Sequence, residues 1–183
     1  LIALSSIARA EDGLLLVRQA LDRAGNLQDR SRPTRLVACA TAFVDLSETD
    51  SALGVLASLE SSFDQVKVLR HLIPRLVADG AVDRVVGIVE GMEDEYRRAE
   101  LWLYLVELLL GKGQLELAAA VPQKISYSFK TPEAMSLVAG AFSRIGEAER
   151  SKALLQEAMR IARSQTIEHR KALTLAAVAK GHA

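Results

Sequence analysis

Apolar residues recur at helical spacing along most of the chain, in blocks separated by short polar breaks. The runs Leu36 to Phe43, Leu69 to Val77, Leu101 to Leu110 and Met135 to Ile145 each lead into a turn residue. A second run follows each turn: Ala52 to Leu59, Val82 to Val89, Leu115 to Ile125 and Ala148 to Ala162. The turn residues are Ser47, Gly80, Gly113 and Gly146, spaced by 33, 33 and 33. A fixed period of this length is the signature of a stacked repeat, and every unit reads helix, turn, helix. Weaker copies stand at the ends, with Gly13 lying 34 residues before Ser47 and Gly181 lying 35 after Gly146.

Local chemistry supports these boundaries. Ser47 with Asp50, and Ser61 with Asp64, place a side-chain acceptor and an acid three residues apart at predicted helix starts. Thr131-Pro132-Glu133 predicts a third start, with Thr as cap, Pro where no donor is needed and Glu at the positive end of the dipole. Glycine at the turns permits the positive φ that a helix C-terminus often needs. Pro74 and Pro122 fall inside predicted helices, where each removes a hydrogen bond, so a bend is expected at both. A bend at Pro74 would open the helix near Arg70 and His71.

Composition narrows the class. Of 183 residues 50% are apolar, 25% charged and only 4% aromatic, and Leu and Ala recur throughout, which suits helices better than a sandwich or barrel. The net charge of +0 argues against a surface built to neutralise nucleic-acid phosphates or anionic lipids. The longest stretch without a charged residue, Ala134 to Ser143, is far too short to cross a bilayer. Cys39 is the only cysteine, and its apolar neighbours suit a buried thiol in a reducing, cytoplasmic setting. Because the chain opens at Leu1 directly into helical periodicity, it reads as a piece of a longer protein.

Trp102, Leu105 and Ala118, with Val106, Leu109, Pro122 and Ile125 at the other positions of the motif, make the unit around Gly113 resemble a diverged tetratricopeptide repeat. Ala40, Ala139, Ala52 and Ala158 stand at the family's small positions in neighbouring units, where the register of helix A also carries Ile73. The closing proline, Pro132, falls two residues late. The resemblance implies an all-α fold, an α-solenoid of antiparallel helix pairs in a right-handed superhelix. It would occupy residues 1–183 as one helical-repeat domain of about five units and a terminal helix at about Glu168 to Lys180. Leu173, Leu175 and Val178 on that last helix would then need covering, by flanking chain or by self-association with a second copy.

In this family the first helix of each pair lines a groove that holds peptides. Transferred to this chain, the groove positions are Thr34, Val37, Thr41 and Asp45; Lys67, Arg70 and His71; Glu100, Tyr104 and Glu107; and Glu133, Ser136 and Arg144. The asparagines of a carboxylate clamp are missing, since Asn26 is the only Asn, and the mixed charge suits a folded or mixed-charge partner. Enzyme constellations are not supported: there is no H-E-x-x-H or C-x-x-C motif, and Gly111-Lys112-Gly113 follows a helix, without the spacing of a phosphate loop. Glu93, Asp94 and Glu95 suit a helix start. The expectation is a non-catalytic scaffold for a partner protein or peptide, with no cofactor, metal or membrane. Its alternatives are a regulatory or sensor segment of a larger protein and, less favoured on charge, a repeat that reads single-stranded RNA.

Overall fold

The computed structural model describes residues 2–126 and 129–165, together with 171, 172, 175, 176 and 179. Among them all regular structure is helical: α1 Ile2–Gly25, α2 Arg32–Asp45, α3 Thr49–Ala57, α4 Ser62–Ala78, α5 Val82–Glu90, α6 Glu95–Gly111, α7 Leu115–Ala120, a 3-10 turn Pro122–Lys124, α8 Thr131–Arg144 and α9 Ala148–Arg163. The backbone packs as two compact units, Leu1–Val85 and Val86–Ala183. The expected terminal helix lies largely outside the described residues, as do Leu173, Val178 and Gly181; Leu175 is half-buried.

The period of 33 is written in the backbone. Ser47, Gly80, Gly113 and Gly146 all have positive φ, at 64°, 76°, 71° and 84°. Each ends its helix in the same way, because the N–H of the next residue reaches back to a carbonyl five residues earlier. Glu48 bonds to Phe43 at 2.8 Å, Ala81 to Leu76 at 2.8 Å, Gln114 to Leu109 at 2.9 Å and Glu147 to Phe142 at 3.0 Å. This is a Schellman cap, which satisfies carbonyls that a helix end leaves orphaned. The four carbonyl residues are all buried apolar side chains, so one turn both stops the helix and anchors it in the core.

Ser47 therefore closes α2 and does not start α3, whose N-cap is Glu48 without a side-chain capping bond. Gly13 marks no turn at all. It lies inside the unbroken α1, where a Cβ would sit 3.5 Å from Leu46 Cδ2. A single helix-interior glycine costs only about 1 kcal/mol, too little to break a helix with no second turn signal beside it. The first predicted helix pair is consequently one long helix, α1.

In the first unit α2 packs against α1, α3 and α4, and α3 packs against α4. Phe43, Val68, Leu69, Leu72, Ile73, Leu76 and Val77 are its largest fully enclosed side chains. Cys39 is buried too, as its apolar sequence neighbours suggest, and burial pushes its thiol pKa up. Pro74 sits within α4, whose helix runs unbroken from Ser62 to Ala78.

In the second unit α6 packs against α7 and α8, and α8 packs against α9. Pro122 does more than bend its helix. α7 stops at Ala120 and the chain tightens into the 3-10 turn, because proline supplies no N–H and its ring clashes with the preceding turn. Thr131 is also placed differently from expectation. Lys130 is the N-cap, and the buried Thr131 hydroxyl donates to the Ile125 carbonyl at 3.0 Å, tying the start of α8 to the end of the preceding turn.

Ion pairs repeat at nearly the same interval. Arg84 binds Asp50 in the first unit; Lys124 binds Glu90 at 2.7 Å and Arg150 binds Glu116 at 2.6 Å in the second, each pair 34 residues apart. The acids at 50 and 116, two periods apart, both stand in the first turn of a helix, where the dipole favours them.

Candidate partner-binding faces

Each first helix has a buried stripe and a more exposed one, and the candidate residues other than Ser136 fall on the second. On α2, Thr34 and Asp45 are exposed, while Val37 and Thr41 are half-buried. The Thr41 hydroxyl donates to the Val37 carbonyl at 2.7 Å, so its donor is already used within the helix. On α4, Lys67, Arg70 and His71 are exposed. Lys67 Nζ lies 2.9 Å from Asp64 Oδ1 and 4.2 Å from the centre of the Phe63 ring. That helix is started by Ser61, whose hydroxyl accepts from the Asp64 N–H at 3.4 Å, as expected.

The second unit presents a different chemistry from the same positions. On α6, Glu100 and Tyr104 are half-buried and Glu107 is exposed. Glu100 accepts from Arg97 at 2.8 Å, and this hydrogen bond is the leading reason the Arg97 pKa is raised. Asp94 caps α6, its carboxylate accepting from the Arg97 N–H at 3.0 Å, which gives the acidic cluster at 93–95 a structural role. On α8, Arg144 is exposed and Glu133 half-buried. Ser136 is a correction: it is fully buried and its hydroxyl donates to the Pro132 carbonyl at 2.7 Å, so it cannot face a partner.

Thr34, Lys67, Glu100 and Glu133 share one register of the 33-residue period, and His71 and Tyr104 share another. The first unit carries Lys67, Arg70 and His71 there, whereas α6 carries Glu100, Tyr104 and Glu107. Thr41 and Asp45 lie on α2, which packs against α4.

Reading single helices missed a further register, formed by Phe63, Tyr96 and Phe129. Phe63 is 53% exposed and Tyr96 44%, both unusual for large aromatics, and Phe129 is half-buried ahead of α8. An ion pair accompanies each: Asp64 with Lys67, Arg97 with Glu100 and Lys130 with Glu133, all three residues apart. The signal was available in the sequence, since these aromatics are themselves spaced by 33 and 33.

Other surfaces offer less. An open cleft lies between α1 and α2, lined by Gly25, Leu27, Gln28, Asp29, Arg32 and Pro33. Asp29 is occupied there: bonds from the Ser31 hydroxyl and N–H hold its carboxyl below the usual range. Among the described residues no group of three or more His, Cys, Asp or Glu is placed to hold a metal ion, and no helix is long and apolar enough to cross a membrane. No protein-family model, curated protein or solved structure matches this chain.

Proposed function

We propose that the chain is a non-catalytic helical-repeat scaffold of the tetratricopeptide kind, which binds a segment of another protein through the exposed stripes of its first helices. In this reading the helix pairs of each unit are antiparallel and stack in sequence order as a short α-solenoid. The ordered packing of α2 on α1, α3 and α4, and of α6 on α7 and α8, supports the stacking. The four equivalent caps support a true repeat.

The observation that carries the binding reading is the division of labour on these helices. One stripe is packed and apolar, while the other returns polar or aromatic residues at the same register in successive repeats and changes their charge from basic in the first unit to acidic on α6. Arg70 and His71 supply basic groups and Glu107 an acidic one outside the packed stripes, which suits a partner recognised by mixed charge. Affinity capture with the intact chain beside an Arg70→Glu, Tyr104→Ala variant tests this. Specific proteins retained by the first and lost by the second are expected, and recovery of the same set by both overturns the reading.

A further inference from the structure

The long helix α1 packs against α2, and its own residues divide into two stripes. Leu14, Val17 and Leu21 are half-buried and Ala24 is buried, which marks the packed side. On the far side stand Asp12, Leu16, Gln19 and Arg23, all exposed and spaced by 4, 3 and 4, so they line up along the helix. Leu16 is 65% exposed and its neighbour Leu15 57%. They are adjacent, whereas the other exposed large apolar side chains among the described residues, Phe63, Tyr96, Leu117 and Ile145, each stand alone in sequence. Among the described residues the ion pairs involve neither Asp12 nor Arg23.

This stripe is complementary to itself in one orientation. When a second α1 is laid antiparallel, turned about the point between Val17 and Arg18, Asp12 of each copy faces Arg23 of the other and Leu16 faces Gln19. The two Leu16 residues are then offset by three residues, about 4.5 Å along the axis, and helices packed about 8–10 Å apart bring such side chains into contact. A parallel pairing instead sets Asp12 against Asp12 and Arg23 against Arg23, which repel. A two-fold interface requires this property, that residue i meets j while j meets i. Exposed ion pairs contribute little energy, so the leucines supply the attraction and the charges choose the direction. The net charge of +0 adds no repulsion between copies at long range.

We propose that two copies of this chain associate through α1, antiparallel and two-fold symmetric, with Leu16 at the centre, Leu15 beside it and an Asp12–Arg23 pair at each end. One helix face is a small interface, so the dimer is a reversible one. The test is sedimentation velocity of the intact chain from about 10 µM to about 1 mM. A dimer growing with concentration is expected, weakened about tenfold or more by Leu16→Glu. Asp12→Arg and Arg23→Asp should each weaken it about threefold, and the double exchange Asp12→Arg with Arg23→Asp should restore it. Circular dichroism should report equal helix content throughout; if Leu16→Glu lowers it, the charge series decides alone. A monomer over the whole range overturns the proposal, including one that captures a different protein through this stripe. A dimer indifferent to Leu16→Glu, or one that the double exchange does not restore, also overturns it. None of these residues belongs to the partner-binding faces, so failure of the scaffold reading is registered separately, at Arg70 and Tyr104.

Discussion

Ser47 occupies a backbone conformation that its neighbours one, two and three repeats away assign to glycine. A left-handed φ costs a residue with a Cβ about 1–2 kcal/mol, and glycine recovers most of this at some expense in unfolded-state entropy. Ser47→Gly is therefore expected to stabilise the protein by roughly 0.5–1 kcal/mol, and Gly80→Ala to destabilise it by about 1 kcal/mol, both read from urea unfolding. Space plays no part in the second cost, since a Cβ at Gly80 would meet nothing within 4 Å. The spacing of these residues predicts the turns, but serine is a frequent N-cap, so Ser47 with Asp50 equally predicts a helix start. The positive φ that makes it an end is a property of the chain path.

Helices are limited here by their ends more than by their interiors. Asp94 caps α6 with a bond of 3.0 Å, whereas the equivalent bond at Ser61 on α4 is 3.4 Å. Asp94→Ala should cost about 1 kcal/mol and Ser61→Ala distinctly less, measured by chemical denaturation of the two variants. Between elements, Arg150 reaches Glu116 with two hydrogen bonds of 2.6 and 2.8 Å, which hold the Glu116 carboxyl below its ordinary range. A carboxyl pKa lowered by folding contributes stability above the unfolded value and loses it as pH falls through the folded one. The stability gap between wild type and Arg150→Ala should thus be widest near neutral pH and narrow in acid to what the contact of Arg150 with the Phe142 ring contributes, with the Glu116 resonance titrating lower in the wild type. The pair is solvent-exposed, so the difference will be small. The proline pair shows what periodicity resolves at this scale. Both positions read alike in sequence, yet α4 absorbs Pro74 while α7 ends before Pro122, where Pro122 and Ile125 are buried and the chain turns toward α8.

At the scale of the whole molecule, the equal count of 23 basic and 23 acidic side chains leaves no net repulsion between copies at pH 7. The sequence pI is about 7.0, so lowering the pH takes the chain away from charge balance to a net positive charge. Static light scattering should accordingly report weaker self-attraction near pH 5 than near pH 7, and the same attraction at both values would contradict this. Charge balance also bears on the proposed faces: with no net charge to steer a partner, the binding proposed above would depend on local groups such as Arg70 and His71 in one unit and Tyr104 and Glu107 in the other.

The sequence by itself determined the helical class, the period of 33 and the location of the turns, because these follow from local spacing and from the few residues that tolerate a turn. Lys67, Arg70, His71, Glu107 and Arg144, which the family resemblance assigns to the groove, are exposed in the structure. Only the tertiary structure decided that Ser136 is enclosed, that Thr131 is spent on the Ile125 carbonyl, that Gly13 lies within a single long helix and that Asp50 meets Arg84. Those outcomes depend on which elements pack against one another, and contact between distant residues is not encoded in the periodicity of either.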